Sequence, residues 1–354
     1  MNASSVKRVL MLTPSMSKGG AEKQLLKIAQ YLRSRGHEVK IVSLTPINEF
    51  GEVISNSALP FVFLKSWKKS PYSNYRQLFR EFRDFKPEVV ISFMFIAIIF
   101  ARLLKHYFGF KLISTIRISV LPSKWFLPFQ LTSGDDAIVY NSTGVRMLFE
   151  RKFPQLRRGR VIHNEISLPE KVQRRAAQRP FTWVCVGHFR WKKDYPTLFK
   201  ALARLKQRDF RIIIVGELKG ARWPEDMLCQ LKLGSKVKLM GFVADPGKII
   251  EEADAFVLSS FSEGMPNATL EAMALAKPVV VTDIVGNREL IKSSEGGLLC
   301  RPCDEADLAE QMLSIMEMTA EERMAMGERG RQFISRYFNK KAIMQQWEDL
   351  LAEV

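Results

Sequence analysis

At 354 residues the chain exceeds the usual size of one compact domain and suits two of roughly 150 to 180 residues, so two lobes with a cleft are expected. Hydrophobic residues make up 47% and charged residues 26%, close to average globular usage, which excludes disordered, collagen-like and fibrous repeat classes. The net charge of +17 is uneven: residues 1–180 hold 30 Lys+Arg against 12 Asp+Glu, or +18, leaving 24 against 25, or −1, for residues 181–354, so the first half is expected to face a polyanion, either nucleic acid or an anionic membrane surface.

In chain order, residues 8–13 read as an apolar strand that ends in Pro14 and a loop running to Gly19-Gly20. A helix follows, with Leu25, Leu26, Ile28, Ala29 and Leu32 at helical spacing to about Arg33, and Gly36 stops it before a strand at 38–44. Further strands are expected at 87–93, 111–116 and 136–140, with a helix at 96–107. Strands that are apolar throughout and alternate with helices argue for a parallel sheet covered on both faces. Residues 163–180, rich in Lys, Arg and Gln, read as a linker.

The pattern then restarts. Strands are expected at 181–187, 210–216, 237–241, 255–259 and 278–283, and helices at 195–206, 306–318, 320–336 and 340–353. The expected fold is therefore α/β, two Rossmann-like doubly wound domains facing a central cleft, with 1–165 as the first domain, 166–339 as the second, and the helix at 340–354 packing back on the first. Four cysteines are too few for a disulfide scaffold, Met1 to Lys7 runs straight into a strand rather than a signal peptide, and the longest apolar run, 89–100, is shorter than the about twenty residues a spanning helix needs. A reducing cytosol is the expected compartment.

Two segments carry chemistry. Gly19-Gly20 lies between a strand and a helix, where backbone N–H groups can approach a phosphate, although a glycine pair also serves as a plain tight turn. The stronger segment runs from Ser262 to Ala274: its Gly264 and Pro266 make a sharp strand-to-helix loop, Pro266 suits a first-turn position, and the N–H groups of Met265 and Asn267 onward face the cleft. Glu263 and Glu271, eight positions apart, can address two parts of one elongated ligand. Carboxylates repel a diphosphate but accept strong hydrogen bonds from sugar and ribose hydroxyls, leaving cations and N–H groups to the phosphates. Alternatively, both glutamates simply favour the helix N-terminal dipole.

The segment from Glu263 to Glu271 resembles the Glu, seven residues, Glu signature of family 4 retaining glycosyltransferases, which have the GT-B fold. Gly19-Gly20-Ala21-Glu22 resembles the family's Gly-Gly-Ala-Glu loop, Val186-Gly187 followed by Lys193 its Val-Gly-Arg…Lys segment, and Val285-Gly286-Asn287-Arg288-Glu289 its Gly-Gly-x-x-Glu turn. The four motifs fall in order across nearly the whole chain. The resemblance implies that Glu271 binds the nucleotide ribose and Glu263 the donor sugar near its anomeric carbon. Gly264, Met265, Pro266 and Asn267 would line sugar and phosphate, Lys193 would neutralise the diphosphate, Gly20 would close on it from the other domain, and the backbone at Val243 would contact the base. Lys193 and helix N-termini would stabilise the leaving group with no metal or other cofactor.

Where the family has Arg directly after the Gly of its Val-Gly segment, this chain has His188, with Arg190 two residues on; imidazolium His188, Arg190 or Lys193 alone are the alternatives. The histidine many members carry in the first domain is not visible: His37 and His106 read as peripheral and His163 as linker, while Arg117 ends the strand from which such a residue would come and is the candidate catalytic residue on that face of the site. Cys300-Arg301-Pro302-Cys303 is a lone CxxC and reads as a loop rather than a zinc site.

Arg76, Arg80, Arg83, Lys86, Arg102, Lys105 and Lys111 surround aromatic stretches including Trp67, Tyr72, Tyr75, Phe79, Phe82 and residues 125–129. A basic face with exposed aromatics suits anionic lipid, and ordinary solvated helices are the plainer reading. The expectation is a retaining glycosyltransferase using a nucleotide diphosphate sugar, UDP-linked by preference. Its acceptor would be a lipid-linked or lipopolysaccharide glycan, its partner the inner face of the cytoplasmic membrane, with no nucleic acid bound. A sugar-nucleotide epimerase and a non-catalytic basic RNA- or membrane-binding protein are the rivals.

Overall fold

The computed structural model describes residues 6–156, 159–170, 172 and 180–354. The chain divides into two compact units, Met1–Glu165 with Lys341–Val354, and Ile166–Lys340.

In the first unit, strands β1 (Arg8–Thr13), β2 (Glu38–Ser43), β3 (Phe61–Phe63), β4 (Val89–Phe93), β5 (Lys111–Ile116), β6 (Ala137–Tyr140) and β7 (Arg160–Val161) form one parallel sheet in the order β3-β2-β1-β4-β5-β6-β7. Helices α1 (Gly20–Ser34), α2 (Gly51–Asn56), α3 (Pro71–Phe85), α4 (Met94–Phe108), α5 (Phe126–Leu131) and α6 (Thr143–Lys152) connect them. β1 and β4 are buried almost throughout, because helices cover both faces of a parallel sheet. Two apolar clusters result, one around Leu25, Ile41 and Ile91 and the other around Leu12, Phe82 and Leu112.

The second unit repeats the plan. Strands β8 (Phe181–Val186), β9 (Phe210–Val215), β10 (Val237–Leu239), β11 (Ala255–Leu258), β12 (Val279–Thr282) and β13 (Gly297–Cys300) are parallel in the order β10-β9-β8-β11-β12-β13. Helices α7 (Tyr195–Arg204), α8 (Trp223–Gln230), α9 (Gly247–Glu252), α10 (Asn267–Ala274), α11 (Val285–Ser294), α12 (Glu305–Glu317) and α13 (Ala320–Tyr337) pack on it. Asp304 caps α12, and Thr319 with Glu322 forms a capping box on α13. In each unit the strand order reverses direction once, between β1 and β4 and between β8 and β11, the switch points where doubly wound sheets take ligands.

The final helix, α14 (Lys340–Glu353), returns to the first unit, where Ile343, Met344, Trp347, Leu350 and Leu351 join the cluster that holds Leu25 and Ile28. Lys7 Nζ donates to Leu351 O, and Arg160 pairs with Glu353. Among the described residues no helix is long and apolar enough to cross a membrane.

Several expectations need correction. Residues 163–165 are not linker: Asn164 and Glu165 are buried, and Gln24 exchanges two hydrogen bonds of 2.9 Å with the Glu165 backbone. Beyond them, the Ile166 N–H donates to Phe338 O, and Arg331 donates to Pro169 O. Polar residues that read as loop are here paired and inside. The remainder of the expected linker, 171 and 173–179, lies outside the described residues, as do residues 1–5. Divided by unit, the charge is 27 Lys+Arg against 14 Asp+Glu, or +13, in the first and 27 against 23, or +4, in the second.

His37 is not peripheral. It is 4% exposed, accepts from the Lys7 N–H on Nδ1 at 3.1 Å and lies 3.4 Å from Glu348 on Nε2. Cys300 ends β13 instead of opening a loop.

Trp347 is 1% exposed and fills the first unit's core from the far end of the chain. Trp347→Ala is expected to cost about 3 to 5 kcal/mol, read as a fall in the unfolding midpoint of the transition that includes the first unit.

Candidate active site

Because β8 and β11 are neighbours at the switch point of the second sheet, the loops leaving their carboxyl ends meet. The β8 loop runs from Gly187 to Asp194 and the β11 loop from Ser259 to Pro266. A Cβ on Gly216, at the end of β9, would stand 1.9 Å from Gly187 O, so only glycine lets these strand ends lie so close. Asp194 holds φ of 46°, a left-handed conformation unusual for a residue with a side chain, and caps α7 by accepting from the Thr197 N–H. Ser259, fully buried, secures the turn by donating to Lys193 O and Asp194 O at 2.9 and 3.0 Å.

These constraints aim the Lys193 side chain across the switch point. Its Nζ donates to Glu263 Oε1 at 2.6 Å, Lys192 Nζ stands 3.6 Å from Oε2, and Ser260 Oγ donates to Oε1 at 3.1 Å. Glu263 is 8% exposed. Burial alone would raise its carboxyl, but the two ammonium groups and the two hydrogen bonds outweigh it and hold the acid below its ordinary range. The charged form is therefore secured in a nearly dry setting, where electrostatic interactions are strong.

Glu263 is followed by buried Gly264, Met265 and Pro266, after which α10 begins at Asn267. Pro266 is the N-cap with φ of −77°, one position earlier than the expected first turn, and its carbonyl accepts from the N–H groups of Thr269 and Leu270. The first turn of α11 presses on this loop: a Cβ on Gly286 would lie 2.3 Å from Gly264 O. Asn287 donates to Thr282 O at 2.9 Å, and Thr282 Oγ1 donates to Ser260 O. A buried chain of hydrogen bonds thus links α11 to the residue that holds Glu263. Glu271 stands half-buried on α10, five residues into the helix.

Of the other expected residues, His188 accepts the Glu217 N–H on Nδ1 at 3.2 Å, which puts the proton of its neutral ring on Nε2, and its ring is parallel to that of Phe242 at 6.1 Å. Arg190 is exposed at the cap of the Trp191–Lys193 turn. Val243 is half-buried in the segment after β10. Sequence reasoning missed Ser260, Ser259 and Lys192. Ser260 stands three positions before Glu263, a spacing visible in the sequence, but which of three nearby serines aims inward was not.

Gly19, Gly20 and Arg117 belong to the first unit, at the carboxyl ends of β1 and β5. Gly19 caps α1 with φ of −142°, ordinary extended backbone, and a Cβ there would meet only the end of the Glu22 side chain. Two carboxylates hold this loop: Ser17 Oγ donates to Glu22, and the Lys18 N–H donates to Glu49 at 2.7 Å. Arg117 is 6% exposed. His163, placed by sequence in a linker, sits after β7 with Nδ1 3.1 Å from Asn141 O. Among the described residues no three His, Cys, Asp or Glu side chains gather as a metal site would require.

The expected basic aromatic face also changes. Arg102 is 1% exposed and paired with Asp135, and Phe82 and Phe129 are fully buried, because helical packing turns them inward. What remains outside is Tyr72 and Tyr75 on α3, Leu103 and Tyr107 on α4, and Leu127 and Leu131 on α5, with exposed Arg76, Arg80 and Arg83. Phe79 against Tyr107 at 5.4 Å and Arg102 donating to Phe129 O at 3.0 Å tie the three helices together.

Residues 169–333 match the family described as glycosyl transferases group 1, and residues 18–170 match glycosyltransferase family 4. An uncharacterized glycosyltransferase of Methanocaldococcus jannaschii is 24% identical over 278 residues, 68% of this chain and 65% of that protein. The N-acetylgalactosamine-N,N'-diacetylbacillosaminyl-diphospho-undecaprenol 4-alpha-N-acetylgalactosaminyltransferase of Campylobacter jejuni is 33% identical over 135 residues, 37% of this chain and 36% of that protein. The match thus spans less than two thirds of the length of either relative. The crystal structure of HepE from Anabaena in complex with UDP shares the fold, with a TM-score of 0.82, 19% identity, and 98% and 100% of the two chains covered.

Glu263→Gln is expected to flatten the acid limb of stability. With a folded-state pKa below the unfolded value, Glu263 adds stability above the ordinary carboxylate range that is lost as pH falls through its depressed value. Urea unfolding from about pH 7 to about pH 3 checks this: the wild type loses more stability over that span than the variant.

Proposed function

Because the chain belongs to the family 4 glycosyltransferases, we propose that it is a retaining enzyme that moves a sugar from a nucleoside diphosphate sugar, with UDP as the nucleotide, to a glycan carried by a membrane. The observation that carries this reading is the Lys193–Glu263 pair at the switch point of the second sheet, held by Ser260. In the reaction, the bond between the anomeric carbon and a phosphate oxygen breaks and the nucleoside diphosphate leaves with both electrons. An acceptor hydroxyl adds to the same face and passes its proton to the departing diphosphate oxygen. Lys193, with the N–H groups at the start of α10, suits the charge that develops on the departing diphosphate, and no step requires a metal ion. Glu263 suits the donor sugar's hydroxyls and also fixes the ammonium where it is needed; Glu271 suits the ribose. His188 Nε2–H, Arg190, Val243 and the Gly264–Asn267 backbone complete the donor side. The UDP named for HepE and the diphospho-undecaprenol named for the Campylobacter relative support the choice of nucleotide and of a lipid-linked acceptor.

The membrane half of the proposal rests on α3, α4 and α5. Tyr72, Tyr107, Leu127 and Leu131, each at least 60% exposed, stand on a unit of charge +13 with Arg76 and Arg80 beside them, the combination of apolar insertion and cationic attraction that binds anionic bilayers.

Calorimetry with UDP, GDP, ADP and CMP, in EDTA and again in magnesium, tests the donor site. One nucleoside diphosphate is expected to bind equally in both, and Lys193→Met to weaken it about 10- to 100-fold, the worth of a charge-assisted hydrogen bond. Absence of binding by every nucleotide sinks the donor assignment. Leu127→Ser with Leu131→Ser is expected to cut sedimentation with phosphatidylglycerol vesicles while UDP affinity stays unchanged; retention equal to wild type removes α5 from the membrane face.

A further inference from the structure

Among the described residues the first unit buries two guanidinium groups, Arg102 and Arg117, and they are treated very differently. Arg102 directs its Nε and Nη2 at Asp135, with Nε 3.2 and 3.1 Å from the two carboxylate oxygens and Nη2 2.6 Å from Oδ2, while Nη1 donates to Phe129 O and Thr132 O. That is the two-point fork in which Arg meets a pair of oxygens on one anion. Arg117 is buried almost as deeply, yet among the described residues only Nη1 has a partner, the neutral Asn164 Oδ1 at 2.5 Å. Its Nε and Nη2, the same edge that Arg102 gives to Asp135, have no partner among the described residues.

The Phe93 ring lies 5.2 Å from the Arg117 guanidinium and covers one face of it. Burial depresses the group to about 10, and no acidic neighbour offsets that. Beside it, Asn141 Nδ2 donates to Arg117 O at 3.3 Å, while Asn141 Oδ1 is buried with no donor among the described residues. At the carboxyl ends of β5 and β6 the fold therefore keeps, out of water, a two-point donor edge that lacks an anion and an acceptor that lacks a hydroxyl. A buried cation without a counter-charge is costly to the fold, and a ligand that supplies the counter-charge recovers that cost as binding.

The geometry points to a subsite in the first unit in which the Nε and Nη2 edge of Arg117 takes a two-oxygen anion, phosphate or carboxylate, belonging to the acceptor, with Asn141 Oδ1 accepting from a hydroxyl of the same molecule. This rests on the reading of the chain as a glycosyltransferase, and it makes the acceptor an anionic sugar. The donor's own diphosphate is the other source of such an anion, and the test separates the two.

Heat unfolding of wild type, Arg117→Met and Arg117→Lys is followed against inorganic phosphate at constant ionic strength, without UDP and with UDP saturating, alongside calorimetry of UDP on each protein. Phosphate is expected to raise the wild-type midpoint with and without UDP. Arg117→Met should start no lower than wild type, since an apolar side chain of similar length replaces an uncompensated charge, and should lose the phosphate-dependent rise. Arg117→Lys, which keeps the charge but not the fork, should keep a smaller rise, its phosphate affinity about tenfold weaker. UDP affinity should be the same in all three. Equal phosphate protection in wild type and both variants overturns the subsite, and should Arg117→Met fail to fold, the comparison with Arg117→Lys decides alone. A tenfold loss of UDP affinity in the variants assigns the anion to the donor and overturns the acceptor subsite. Failure of the functional reading appears separately, as absence of UDP binding to the wild type.

Discussion

The ammonium of Lys193 lies 2.6 Å from the Glu263 carboxylate in surroundings that exclude most water, and the placement of the neighbouring groups follows from keeping that pair intact. A carboxylate so buried is tolerated only with opposite charge and hydrogen bonds around it. Lys192 and Ser260 supply the remainder; Ser259 and the left-handed Asp194 hold the turn that aims Lys193. Glycines at 216 and 286 let neighbouring strand and helix ends converge where side chains would collide with backbone. The cost of bringing two charges out of water is met by the fold before any ligand arrives, which is how a site avoids reorganising at the moment of reaction.

The two units apply one design with different contents. Both reverse strand order once and present loops at the carboxyl ends of adjacent strands. In the second unit the charges there are opposite and matched. In the first the glycine loop after β1 is held by Glu22 and Glu49, and the cationic group, Arg117, stands two strands along, after β5, with its Nε and Nη2 donors unused among the described residues. The duplicated sheet sets where chemistry can occur, and a handful of side chains at strand ends decide what kind.

Long apolar strands such as 181–186 and 210–215 were legible to within a residue because burial on both faces leaves few polar positions to blur their ends. β3, β7 and β13 were not, since two to four residues at a sheet edge carry no readable period. Arg102 reads as one more surface cation because the carboxylate that draws it inside lies 33 residues away, and His37 is hidden by the same kind of distant partner, Glu348. Lys193 and Glu263, 70 residues apart, come together in the sequence only through the family's motif order; the physical reason, that β8 and β11 are neighbours, belongs to the topology. Ser260 was beyond reach because its role depends on which way one hydroxyl of a serine cluster points.

The return of α14 to the first unit has a consequence for the order in which the chain acquires structure. Ile343, Trp347, Leu350 and Leu351 complete an apolar cluster whose other members lie between Val9 and Ile162. On the ribosome those earlier residues emerge first, yet their core stays open until all of 166–340 has been made. The second unit is continuous in sequence and can close on itself in the meantime. The usual vectorial sequence is inverted: the N-terminal unit is the last to finish, and during synthesis the Leu25, Ile28 and Ile343-facing surface is the part of the nascent protein in most need of a chaperone.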